Sequence, residues 1–159
     1  MPTRANTPPI KDSDLVGANY TAADQLIAQA PWIKREAQPV LVASLVNINA
    51  LESSSAFGRI AAEQISSRLA QQGLTVIEMK TRNNVFIEQD NGEFVLSRSV
   101  RDLSRTHKAT ALAAGTYAIG RESVYVSTRL IRALDGVVIA SYDYTLPLGP
   151  DTRALLTAQ

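Results

Sequence analysis

The sequence contains no cysteine and one histidine, His107. The first absence removes disulfides, thiolate nucleophiles and Cys-ligated zinc or iron–sulfur centres, and the second removes His-clustered metals and two-His proton relays. No apolar run approaches the ~20 residues that span a bilayer, and no charged n-region with an apolar h-region opens the chain. There is no Walker loop, and Gly115 and Gly120 make no dinucleotide fingerprint. An excess of charge is missing too: 16 Lys plus Arg face 15 Asp plus Glu, a net +1. That is too little to gather nucleic acid or anionic lipid through a long-range field, so electrostatic partners must be met by a local patch. Neither a cofactor nor a nucleic-acid partner is expected.

What is present is 159 residues with 45% hydrophobic content, enough for one compact core. Residues 1–17, with Pro2, Pro8 and Pro9, read as a flexible tether, leaving 18–159 as a single domain. Ala22, Ala23, Leu26, Ile27 and Ala30 recur at helical spacing, with Thr21 as cap and Pro31 as stop. Residues 39–46 (PVLVASLV) are almost continuously apolar and suggest a central strand covered on both faces. After a polar turn over residues 47–55, Phe57, Ile60, Ala61, Ile65 and Leu69 mark a helix that Gly73 closes in a left-handed conformation. Residues 74–79 form the next strand, in a parallel strand–helix–strand crossover.

Asp90-Asn91-Gly92 is a turn signal, and Phe94, Val95 and Leu96 lead to Ser97 as cap of a helix reaching about His107. Residues 110–119, 123–133 and 137–146 are β-rich runs separated by Gly120-Arg121 and Asp135-Gly136, which predicts an antiparallel three-strand meander. Pro147 and Pro150 stop the last strand, and residues 152–158 can make a terminal helical turn. The expected class is mixed α/β: a sheet with a β-α-β start and the meander at its end, helices mainly on one face.

His107 shares a helix face with Val100 and Leu103 and reads as a packed structural histidine, because no nucleophile or orienting carboxylate is patterned around it. Arg98, Arg101, Arg105 and Lys108 on the opposite face can grip phosphate or an acidic partner, or simply be solvated. The acidic stretch 88–93 lacks the oxygen-ligand spacing of a calcium loop and reads as a surface turn. Tyr117, Tyr125, Arg129, Tyr142 and Tyr144, if gathered across neighbouring strands, form an amphipathic contact surface; the alternative is that the N-terminal helix covers it.

The stretch VASLVNINALESSSAFGRIAAEQISSRLAQQGLTVIEMK, followed by FVLSRSVRDL, by AAGTYAIGRESVYVSTRLIRALDGVVIASYDYTLPL and by TRALL, resembles the FlgO family of flagellar outer-membrane proteins over about Ala18 to Leu156. Within it, Ser54 and Ser55 can cap the long helix, Phe57 can staple it to the sheet, and Gly58 permits close approach of another backbone. The resemblance implies a non-enzymatic envelope protein, commonly a lipoprotein, that serves motility by contacting other envelope or flagellar proteins. It also implies a periplasm-facing place at the outer membrane, with a leader and a lipid-bearing Cys expected before Met1. Candidate contact residues are Arg59, Tyr125, Arg129, Tyr142 and Tyr144. A second hypothesis uses the same Tyr and Arg face to bind a small molecule or glycan.

Overall fold

The computed structural model describes residues 8–35, 38–79, 87–90, 93–96 and 98–158. The first seven residues of the expected tether, the Asn91-Gly92 turn and the Ser97 cap lie outside them. Along the chain run α1 (Leu15–Gln29), a 3-10 turn (Pro31–Arg35), β1 (Val40–Val42), β2 (Val46–Asn47), β3 (Ala50–Ser54), α2 (Ala56–Gln71) and β4 (Val76–Glu78). They are followed by β5 (Ile87–Asp90), β6 (Glu93–Leu96), α3 (Arg98–His107), β7 (Ala111–Ile119), β8 (Ser123–Arg132), β9 (Val138–Pro147) and α4 (Pro150–Thr157).

Seven strands form one mixed sheet, and β5 and β6 form a separate antiparallel ribbon. The spine is β7. One side of it pairs in parallel with β1 through Ala111–Ala113 and, further along, with β2 through Thr116 and Tyr117. Its other side carries β8 antiparallel along its whole length, and β9 follows as the edge. Outside β1 lies β4, in parallel, so that β1, α2 and β4 make the expected crossover. Residues 40–42 read as apolar without alternation because successive side chains enter two different cores. Val40 and Val42 join the core beneath α1 and α2, while Leu41 joins a smaller one with Val100 and Leu112. Three helices thus pack on one face, and α3 covers part of the other.

The sequence-based boundaries shift where tertiary contacts intervene. Helix α1 starts at Leu15, six residues before Thr21, because Asp14 caps it by accepting from the Gly17 amide at 3.0 Å, and Leu15 and Ala18 pack on the core. Just upstream, the Asp12 carboxylate accepts from the amides of Asp151 and Thr152 at 2.8 and 3.0 Å, serving an α4 terminus whose own Gly149 cap has no side chain. Hydrogen bonding, chiefly from Thr152, holds the Asp12 carboxyl below its usual range.

Part of the expected polar turn 47–55 is instead β3, hairpinned onto β2 through a turn in which Asn47 Oδ1 accepts from the Asn49 amide at 2.9 Å. Helix α2 ends as expected: Gly73 takes φ +93°, and the Gly73 and Leu74 amides reach back to the Ala70 and Leu69 carbonyls. His107 does not pack with Val100 and Leu103; it is exposed. It is the last residue of α3, and behind it Lys108 turns to φ 53° while the Lys108 and Ala109 amides bond to the Arg105 and Ser104 carbonyls. That reversal leaves the ring in solvent.

Strand β9 is a sheet edge, and such an edge invites pairing with another chain. Gln29, at the end of α1, occupies part of it: Nε2 donates to the Ser141 carbonyl at 2.8 Å and Oε1 accepts from the Ser141 amide at 3.2 Å. One side-chain amide thus satisfies both edge groups of Ser141. Gln29→Ala is expected to lose about 1 kcal/mol of stability and to self-associate at high concentration. Light scattering that stays at the wild-type level up to millimolar protein would refute the guard role.

Candidate functional site

Among the described residues, the outer face of the sheet is open beyond the part that α3 covers. Period two along β8 sends Val124, Val126, Thr128 and Leu130 inward and Tyr125, Ser127 and Arg129 outward. The register sets Tyr125 beside Ala118 and Thr145, and Ser127 beside Thr116 and Asp143. Together with Ile48 they line a shallow groove of about 360 Å³. Tyr125 is 59% exposed and stands on the groove as its aromatic platform. Ser127 Oγ donates to Asp143 Oδ1 at 2.7 Å, so the groove's carboxylate is already engaged. Arg129 forms no ion pair among the described residues.

The five aromatic and cationic residues expected to gather do not share a face. Tyr117 lies in the core: it is 3% exposed, meets Phe57 edge-on with ring centroids 5.3 Å apart, and donates to Ser55 Oγ at 2.8 Å. Tyr142 and Tyr144 stack on each other at 5.7 Å on the helix side, and the Tyr144 hydroxyl donates to Asn19 Oδ1 of α1. For these three, covering by helices is the outcome. Tyr125 and Arg129 alone stay together outside. Arg59 is exposed on the first turn of α2, on the helical side, away from both. Sequence reasoning missed Ile48, Thr116, Asp143 and Thr145. Asp143 was detectable, because a cross-strand hydroxyl such as Ser127 is a natural partner for a carboxylate.

The helical side is tied by polar bridges rather than left mobile. Arg68 of α2 grips Asp24 of α1 with two bonds of 2.8 and 3.1 Å, and Gln72 adds a third to the same carboxylate. The Arg68 hydrogen bonds, ahead of its charge, hold the Asp24 carboxyl below the usual range.

The open face therefore offers an aromatic plane, an unpaired guanidinium and a hydroxyl–carboxylate pair. Those groups suit recognition by stacking, charge and hydrogen bonding. Among the described residues no three His, Cys, Asp or Glu are placed to hold a metal ion, and no helix is long and apolar enough to cross a membrane.

Of the two serines expected to cap α2, only Ser55 does so; Ser54 instead ties the chain to the segment before β2. Ser55 caps α2 by accepting from the Gly58 amide at 3.2 Å, Ser54 Oγ donates to the Leu45 carbonyl at 3.0 Å, and Phe57 is fully buried.

The NMR structure of E. coli LpoB is similar with a TM-score of 0.55 and 16% identity, covering 92% of this chain and 74% of that one. The LpoB C-terminal domain from Salmonella enterica gives 0.53 at 16% identity, covering 84% and 98%. At such identities the likeness is one of fold. No curated protein matches the sequence. The model of the FlgO protein family matches residues 20–151, spanning both the Ser54-to-Gly58 segment and the whole meander. The chain belongs to the FlgO family.

Proposed function

We propose that the protein is a non-enzymatic component of the cell envelope that acts through protein contacts in the flagellar outer-membrane region and so supports motility. In this reading it faces the periplasm at the outer membrane as a lipoprotein. Family membership supports the setting. The observation that carries the contact role is the open face, where a 59%-exposed Tyr125 shares the outer side of β8 with Arg129, which forms no ion pair among the described residues; these are residue types enriched in the centres of protein interfaces. Tyr144, with Tyr142 stacked on it, supports the same role from beneath by holding α1 on the sheet, and Arg59 offers a separate contact on α2.

The test is a chromosomal Tyr125→Ala, Arg129→Glu double variant in a flagellated host. Swimming is expected to fall at unchanged protein level and unchanged melting temperature. Normal swimming and normal flagella in a strain deleted for the gene would sink the proposal.

The groove supports a second reading, a glycan- or small-molecule-binding module. Its engaged carboxylate and shallow form make protein contact the better fit. A melting temperature raised by cell-wall fragments would reverse that order.

A further inference from the structure

A second concavity lies at the far end of β8, between the C-terminal turn of α3 and the β8–β9 hairpin. It measures about 440 Å³, and Ser104, Arg105, Lys108, Arg132 and Leu134 line it. We propose that it is a docking site for an acidic segment of a protein partner, one carboxylate seated among the cations and an adjoining apolar side chain resting on Leu134.

Three observations converge there, two of them on Lys108. The first is electrostatic. Lys108 makes no ion pair among the described residues, and Arg105 has only a long, exposed contact of 3.8 Å with Asp102. Exposed pairs of that kind hold their partners weakly, so both cations are available. Arg132 is different: Asp135 clamps it at 2.7 and 2.8 Å, which fixes its guanidinium at the wall of the cavity. The second observation is an orphaned hydroxyl. Ser104 is 4% exposed and lines the cavity, yet its Oγ has no hydrogen-bond partner among the described residues. Buried hydroxyls are nearly always partnered, and this one, closed off beneath the lining, is an unmet donor at the floor of the cavity. The third is conformational. Lys108 is the one described non-glycine residue at positive φ, in a position closing the helix where glycine is cheaper. Lys108 thus joins the cavity lining from a strained backbone position.

The rim adds the apolar element. Leu134 is 91% exposed, and Val137 and Val138 beside it are 46% and 45% exposed. A membrane surface fits less well. Polybasic lipid binding takes clusters of about 4–8 cations, whereas this site has three with Asp102 and Asp135 set among them. A planar array of headgroups also does not enter a recess, while a carboxylate side chain does.

The test is an amide-resolved NMR titration of the full chain with a blocked peptide alternating Leu and Glu. Saturable shifts are expected at residues 104–110 and 132–134, with affinity falling about tenfold when Gln replaces Glu in the peptide and again in Lys108→Glu. Arg98→Glu, at the other end of α3, is expected to bind as wild type. Each variant's own amide spectrum shows that it is folded. Equal binding of the Glu and Gln peptides, shifts confined to the Tyr125 and Arg129 strand, or undiminished binding by Lys108→Glu would each overturn the proposal. So would Leu134-dependent sedimentation with vesicles of about 30% phosphatidylglycerol in the absence of peptide binding, which would assign the site to a lipid surface.

Discussion

Gly58→Ala is expected to cost the protein about 2–3 kcal/mol in urea-induced unfolding, although alanine is the better helix former. The first turn of α2 lies directly on the segment joining β1 to β2. There the Gly58 carbonyl accepts from the Leu45 amide at 3.1 Å, so the two backbones are already hydrogen-bonded. A Cβ at position 58 would stand 2.0 Å from the Leu45 carbonyl oxygen and 2.8 Å from Ser54 Oγ. The Leu45 oxygen cannot rotate away as a side-chain tip would, and Ser54 Oγ also binds it at 3.0 Å. The helix must therefore lift, which loosens the buried Phe57 ring and the bond from Tyr117 to Ser55. The propensity gain on replacing glycine, about 1 kcal/mol, does not offset that displacement. Gly73→Ala is the internal comparison. Nothing lies within 4 Å of its Cβ, so only the strain of φ +93° is felt, about 1 kcal/mol. Equal midpoints for Gly58→Ala and wild type would show that α2 is not seated by this contact.

The meander, β1 and α2 were legible because each carries its own local evidence. The first has long β-rich runs divided by turn residues, the second lies in the apolar run 39–46, of which only 40–42 form β1 while Val46 already belongs to β2, and the third has an apolar stripe ending at Gly73. What escaped was decided by contacts distant in sequence. The first turns of α1 lack a strong stripe and form because Asp14 caps them and the core receives Leu15 and Ala18. Strand β3 is half-buried without alternation and exists because β2 offers an edge. The site was half legible. Tyr125 and Arg129 share a strand face, as period two requires, but their relation to the next strand depended on the hairpin. A two-residue Asp135-Gly136 turn would have set Arg129 opposite Tyr142. The real turn starts at Ala133, and with an irregularity at Leu130 and Ile131 it pairs Arg129 with Ser141 and Ser127 with Asp143. One residue of register sends the stacked tyrosines inward and leaves Tyr125 outside.

Those inward tyrosines support the other large expected effect, on the tie that holds α1 down. Asn19 is wholly buried; its Nδ2 donates to Gln64 Oε1 of α2 at 2.8 Å, and its Oδ1 accepts from the Tyr144 hydroxyl of β9. A single amide thus joins α1, α2 and the edge strand. Asn19→Ala removes both bonds and strands a phenol and an amide oxygen beneath the helix, an expected loss of about 2–4 kcal/mol. Tyr144→Phe removes only the donor and is expected to cost about 1–2 kcal/mol at neutral pH. It also changes the pH dependence. Burial, and secondarily the neighbouring Tyr142, raise the Tyr144 pKa above the ordinary phenol value. Below about pH 9 the group is protonated in both states and contributes no slope. Above about pH 10 the unfolded chain loses the proton while the folded one keeps it, so stability falls by up to about 1.4 kcal/mol per pH unit. Tyr144→Phe lacks that loss. Its unfolding free energy, lower than wild type at about pH 8, is therefore expected to approach or exceed wild type by about pH 11. A constant gap across that range would mean that the phenol is free to ionise in the folded protein and that α1 is not sealed over it.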